Sequence, residues 1–165
     1  MIQSHKPNLI KFFDESASEE LHLVLRGHLL IEALLNEIIQ RSFEYPDAIS
    51  DLRQSFFTKV KMVRAVNRIG DGEQRVLLAV NSLRNKMAHQ LHFKVTFSDS
   101  FDLVKVAALS GVDFSDDTIH ADRKLSEEWY GTAGVLTEVI SNTFQHLVWM
   151  NEELFSKEDI SDFFG

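Results

Sequence analysis

The chain has no cysteine, which excludes disulfides and thiolate metal sites and agrees with a reducing compartment. Only 2 prolines and 7 glycines occur in 165 residues, too few for long irregular segments or a low-complexity linker. Nowhere do 18 consecutive apolar residues occur, and Met1 to Phe13 carries Lys6 and Lys11 without an apolar run of signal-peptide length. Neither membrane spanning nor secretion is therefore expected, and a cytoplasmic location is. No Gly-x-Gly-x-x-Gly or Walker-type phosphate loop, no Gly-x-Ser-x-Gly elbow and no His-Glu-x-x-His string is present, so neither a nucleotide cofactor, a serine nucleophile nor a metal site is predicted. What remains is 44% apolar and 25% charged residues, the composition of one ordered domain spanning residues 1–165.

Positive charge is scarce overall but concentrated in one zone. The net charge is −8, which opposes binding to a polyanion. Between Arg53 and Lys94, however, nine cations (Arg53, Lys59, Lys61, Arg64, Arg68, Arg75, Arg84, Lys86 and Lys94) face two anions (Asp71 and Glu73), giving +7 there and −15 elsewhere. Such a zone within an acidic body fits a small RNA-binding cleft, and fits equally a set of solvated helix faces.

Hydrophobic periodicity predicts an all-α domain. Glu19 to Arg41 reads as a long central helix capped by Ser16 or Ser18, because Leu21, Val24, Leu25, Leu29, Leu34, Leu35, Ile38 and Ile39 cover much of its circumference. Phe43 to Asp47, with Pro46, predicts a turn or loop. A basic amphipathic helix follows on Phe56, Val60, Val63 and Val66 and stops at Gly70-Asp71-Gly72. Glu73 to His89 is the next helix, with a core stripe of Val76, Val80, Leu83 and Met87. Alternation of Leu91, Phe93, Val95 and Phe97 with polar residues predicts a short extended arm or hairpin strand. Phe101 to Leu109 reads as helix, Gly111 to Asp117 as a polar loop, and Ser126 to Phe155 as containing one long final helix despite Gly131 and Gly134. The aromatic residues of the acidic C-terminal segment, Phe155, Phe163 and Phe164, are expected to pack on their own domain.

The chemistry-bearing string is Leu83-Arg84-Asn85-Lys86-Met87-Ala88-His89. At roughly 100° per residue, Arg84, Ala88, Asn81, Asn85 and His89 share an arc of about 140° turned away from the core stripe. RNA cleavage without a metal needs a base for the 2′-hydroxyl, an acid for the leaving oxygen and a cation for the charge on phosphorus. His89 and Arg84 meet those demands, and Asn85, one turn before His89, is placed to orient the imidazole or hold a phosphate oxygen. Lys59, Lys61, Arg64, Arg68 and Lys86 are the candidate RNA-binding cations. His28 and Glu32, one turn apart among leucines, are candidate supporting residues, Glu32 meeting His28 or a cation of the motif helix such as Arg84. A cap reading competes: Arg84 paired with a carboxylate and His89 on the last carbonyls would serve only to end the helix.

The Arg84-to-His89 string resembles the Arg-x4-His signature of the HEPN superfamily, the small all-α "higher eukaryotes and prokaryotes nucleotide-binding" domains. Arg26-Gly27-His28-Leu29-Leu30-Ile31-Glu32 resembles strings in HEPN-like families near the mannitol operon repressor, so the likeness covers roughly residues 21–97. The resemblance implies a HEPN-like helical bundle and a homodimer whose Arg84, Asn85 and His89 form a composite metal-independent endoribonuclease site, in a toxin or host-defence setting. It equally implies two other roles: a non-catalytic regulator or protein-interaction adaptor, or a toxin neutralised by an antitoxin partner.

Overall fold

In a computed structural model the described residues are 18–50, 52–90 and 93–165; the expectations for Met1 to Phe13, for Ser16 as a cap and for Leu91 and His92 lie outside them. Among the described residues every regular element is helical. Helix α1 (Glu19–Ser42) begins where the Ser18 hydroxyl accepts the Leu21 N–H at 3.2 Å, with Glu19 and Glu20 in its first turn. It ends at Phe43, whose backbone is extended ahead of Tyr45-Pro46. A one-turn helix α2 (Asp47–Ser50) follows that proline, and α3 (Phe56–Ala65) starts on the Ser55 cap.

Helix α4 (Asp71–His89) starts two residues earlier than the periodicity alone indicates, because the Glu73 carboxylate turns back to accept the Gly70 N–H at 2.8 Å. Helix α5 (Phe97–Leu109) opens on a capping box in which Thr96 and Asp99 satisfy each other's backbone N–H groups. The chain then runs through α6 (Thr118–Ala121), α7 (Arg123–Trp129), α8 (Gly131–Met150), a 3-10 turn (Glu152–Leu154) and α9 (Lys157–Phe164).

Four long helices close a ring: α1 lies against α8, α8 against α5, α5 against α4, and α4 against α1, with α3 seated on α1 and α4. The core fills the centre, and Ile31, Leu35, Ile38, Val76, Leu77, Val104, Leu136 and Leu147 are wholly buried. Where α1 meets α8, Gly27 sits against the Ile140 side chain. At the C-terminus, Arg41 forks onto both Asp159 oxygens at 2.9 and 3.1 Å, and Phe163 stands edge-on to Phe155 and Phe144. The terminal aromatics thus pack on their own domain.

One predicted element differs. The extended arm or hairpin expected after the motif helix is not a strand over its described residues: Phe93 N–H bonds the Gln90 carbonyl, Thr96 caps α5, and Phe97 is already helical, stacked on Phe101 at 5.7 Å. From Phe93 on, the apolar alternation instead runs into a helix start, with Phe93 and Val95 packed on the core from irregular backbone. Ser126 to Phe155 contains the expected long helix, α8, which begins at Gly131. Gly131 adopts φ +63°, a left-handed conformation that side chains with a Cβ resist, and this separates α7 from α8.

A Cβ added at Gly27 would crowd three Ile140 side-chain carbons, Cδ1 most closely and Cγ1 and Cγ2 at 2.9 Å. Gly27→Ala is therefore expected to destabilise the domain by about 1–3 kcal/mol, the usual cost of overpacking, despite alanine's better helix propensity. Urea unfolding of Gly27→Ala with and without Ile140→Val checks this, since the second change should recover part of the loss.

Candidate functional site

The polar arc of α4 emerges where the periodicity places it. Val76, Val80 and Leu83 are buried and Met87 half-buried, while Lys86, Ala88 and His89 are exposed. Leu78, Asn81, Ser82, Asn85, Lys86 and His89 of α4, together with Gln90 and with Phe57 from α3, line an open cleft of about 440 Å³. Arg84 is not among the lining residues. It reaches the cleft through Asn85, whose side-chain oxygen accepts from Arg84 Nη1 at 3.2 Å. Among the described residues His89 makes no hydrogen bond or ion pair, so the fold leaves its imidazole available.

Behind the cleft lies His28, buried on α1 and packed at a tilt on Phe56 with ring centroids 4.1 Å apart. Its Nε2 lies 3.1 Å from Asn81 Oδ1. Since an amide oxygen only accepts, the imidazole carries the proton on Nε2 and donates it. Burial holds the His28 pKa below the ordinary histidine value; the Asn81 bond and the Glu32 charge oppose that shift, while Arg84 and Lys59 reinforce it. His28 is a neutral donor that fixes the direction of Asn81.

Glu32 pairs with neither His28 nor Arg84. Its carboxylate takes the Lys59 ammonium at 2.7 Å, a half-buried pair that ties α1 to α3. Other members of the basic zone are also engaged: Arg64 with Asp71 at 3.0 Å, Arg68 with Glu153, and Lys61 with the Gln74 side chain at 3.2 Å. Of the five predicted RNA-binding cations, Lys86 alone lines the cleft. No protein-family model, curated protein or solved structure matches the chain.

Sequence reasoning did not assign Phe57 or Asn81 to the site. Phe57 had a legible signal, since it falls beside the Phe56, Val60, Val63 stripe and is thus an aromatic turned out of the core. Asn81 was legible as a member of the polar arc of α4, but its partner was not, because only the fold brings His28 to it from 53 residues away. Among the described residues no group of three or more His, Asp or Glu side chains is placed to hold a metal ion, and no helix is long and apolar enough to cross a membrane.

His28 carries a pH consequence. In the unfolded chain it takes a proton near about pH 6.5, whereas in the fold it resists one. Acid therefore favours unfolding: the contribution is present above that value and is lost as pH falls from it toward the lower folded value. Unfolding free energies measured from pH 7.5 to 5.5 should decline for the wild type and decline less steeply for His28→Gln.

Proposed function

We propose that the chain is a metal-independent endoribonuclease of HEPN type, acting as a homodimer in a toxin or defence setting. The observation that carries this reading is the exposed His89 imidazole, without a hydrogen-bond partner among the described residues, in an open cleft with Asn85 and Lys86 and joined to Arg84 through Asn85. His89 takes the proton of a ribose 2′-hydroxyl, and the 2′-oxygen attacks the adjacent phosphorus. The bond from phosphorus to the 5′-oxygen breaks, and a protonated imidazole returns a proton to that oxygen, leaving a 2′,3′-cyclic phosphate and a 5′-hydroxyl. Arg84 supplies the planar fork that stabilises the oxygens on phosphorus. One protomer's cleft exposes His89 but not Arg84 along its wall. A two-fold partner, meeting α4 across the small Ala88, would complete the site with its own copies of both.

A second reading, a non-catalytic adaptor or regulator that binds a protein partner, is favoured by a different observation. Lys59, Arg64 and Arg68, three of the five expected RNA-binding cations, spend their charge on Glu32, Asp71 and Glu153 of the same chain. In that role the same cleft receives a regulatory protein, or an antitoxin where the chain is a toxin.

Incubation of total RNA and tRNA with the protein in excess chelator separates the two. The ribonuclease reading expects cleavage with cyclic phosphate ends, reduced about 10²- to 10⁴-fold by His89→Ala and comparably by Arg84→Ala. Both variants should elute as the wild-type dimer. A folded dimer that leaves every RNA intact gives the adaptor reading the weight.

A further inference from the structure

The hydrogen-bonding groups of the cleft are unbalanced. Asn81 Oδ1 is occupied by His28 at 3.1 Å and Asn85 Oδ1 by Arg84 at 3.2 Å. Both amides lie along the cleft, one helical turn apart on α4, and with their oxygens engaged each has its NH2 as the free end. Lys86 adds an ammonium, a donor without acceptor capacity. Ser82 and Gln90 can serve either way. The wall is thus set for a ligand rich in acceptor oxygens.

The α3 side of the cleft has a different character. Phe57 is 50% exposed there, with the Lys61 ammonium 5.4 Å from its ring centroid. An aromatic face held at the surface beside hydrogen-bond donors matches a ligand that is flat and apolar on one side and oxygen-rich on another. A nucleotide has both parts. A duplex does not offer them together, because its base faces are already stacked on one another.

We propose that the cleft is a subsite for one unpaired nucleotide of RNA, its base stacked on Phe57 and its oxygens held by the amide NH2 groups of Asn81 and Asn85 and by Lys86. The subsite rests on reading the ligand as RNA, and it names the form of RNA taken: a single strand, a loop or an end. His28 acts as a positioning residue, keeping the Asn81 donor turned outward. Uracil suits the wall especially, since both its carbonyl oxygens accept.

The test uses a labelled 2′-O-methyl oligouridine octamer, which has no free 2′-hydroxyl to cleave, and the same octamer paired with its complement, followed by fluorescence anisotropy. Expected results are tighter binding of the single strand than of the duplex and a loss of roughly 5- to 150-fold in Phe57→Ala, the effect of removing one base–aromatic stack. Phe57→Trp should keep the affinity and show indole quenching on binding beyond any change at Trp129 and Trp149. Phe57 is exposed, so unfolding curves of the variants should match the wild type. Equal binding by Phe57→Ala, equal binding of the duplex, or no binding by the wild type would overturn the subsite. Phe57-dependent binding without cleavage of unmodified RNA would keep the subsite and remove the ribonuclease reading. His89-dependent cleavage that ignores Phe57→Ala would do the reverse.

Discussion

A buried carboxylate sets the phase of the helix on which everything else hangs. Glu73 is almost fully enclosed, and a carboxylate there is tolerated only with donors in reach. Burial alone would raise its pKa, but His146 of α8 at 3.0 Å, the Gly70 N–H and its own backbone N–H outweigh that and hold it below the usual carboxylate range. These contacts settle two things together. They fix where α4 begins, and they tie its first turn to α8 across the bundle. Every side chain further along α4 inherits its direction from that start: rotating the helix by one residue would turn Val76, Val80 and Leu83 off the core and carry Asn81, Asn85 and His89 out of the cleft.

The cleft follows the same economy of partnered polar groups. His28 is enclosed, and its neutrality follows from burial together with the Lys59 and Arg84 charges. The proton it keeps is directed at Asn81, so a buried ring on α1 determines what an exposed amide on α4 presents to solvent. Lys59 performs a related service by neutralising Glu32, which would otherwise be a half-buried negative charge behind a surface proposed to meet phosphate. The interior of the site is thus electrically quiet, and the groups left with unspent capacity are those on the cleft wall.

Much of this was readable in advance, and what was not has physical reasons. The helical arc from Asn81 to His89 depends only on the 3.6-residue period and an apolar stripe on the opposite side, both local properties. The boundaries of α1 follow from Ser18 and Pro46 for the same reason. The partners of Glu32 and His28 are tertiary facts: Lys59 is 27 residues away from Glu32, and Asn81 is 53 from His28. The Phe93 to Phe97 alternation misled because a turn leading into a capped helix exposes and buries residues in the same order as a strand does, and Thr96 with Asp99 decides between them. At Gly131 the composition was noted, but the left-handed conformation that turns a tolerated helical glycine into a break is a property of the folded chain.

That break has a consequence for how the chain can change over time. The segment from Asp116 to Tyr130 is stitched to itself, by the Tyr130 hydroxyl on Asp116 at 2.7 Å and the buried Ser126 hydroxyl on the Ile119 carbonyl at 2.8 Å. It packs chiefly on α5 and α8, the side of the ring away from α3. Gly131 joins this segment to α8 in a backbone conformation that a side chain with a Cβ resists. Any other residue would strain the junction where the segment meets the bundle, so this position is closed to costless drift while the chain changes around it.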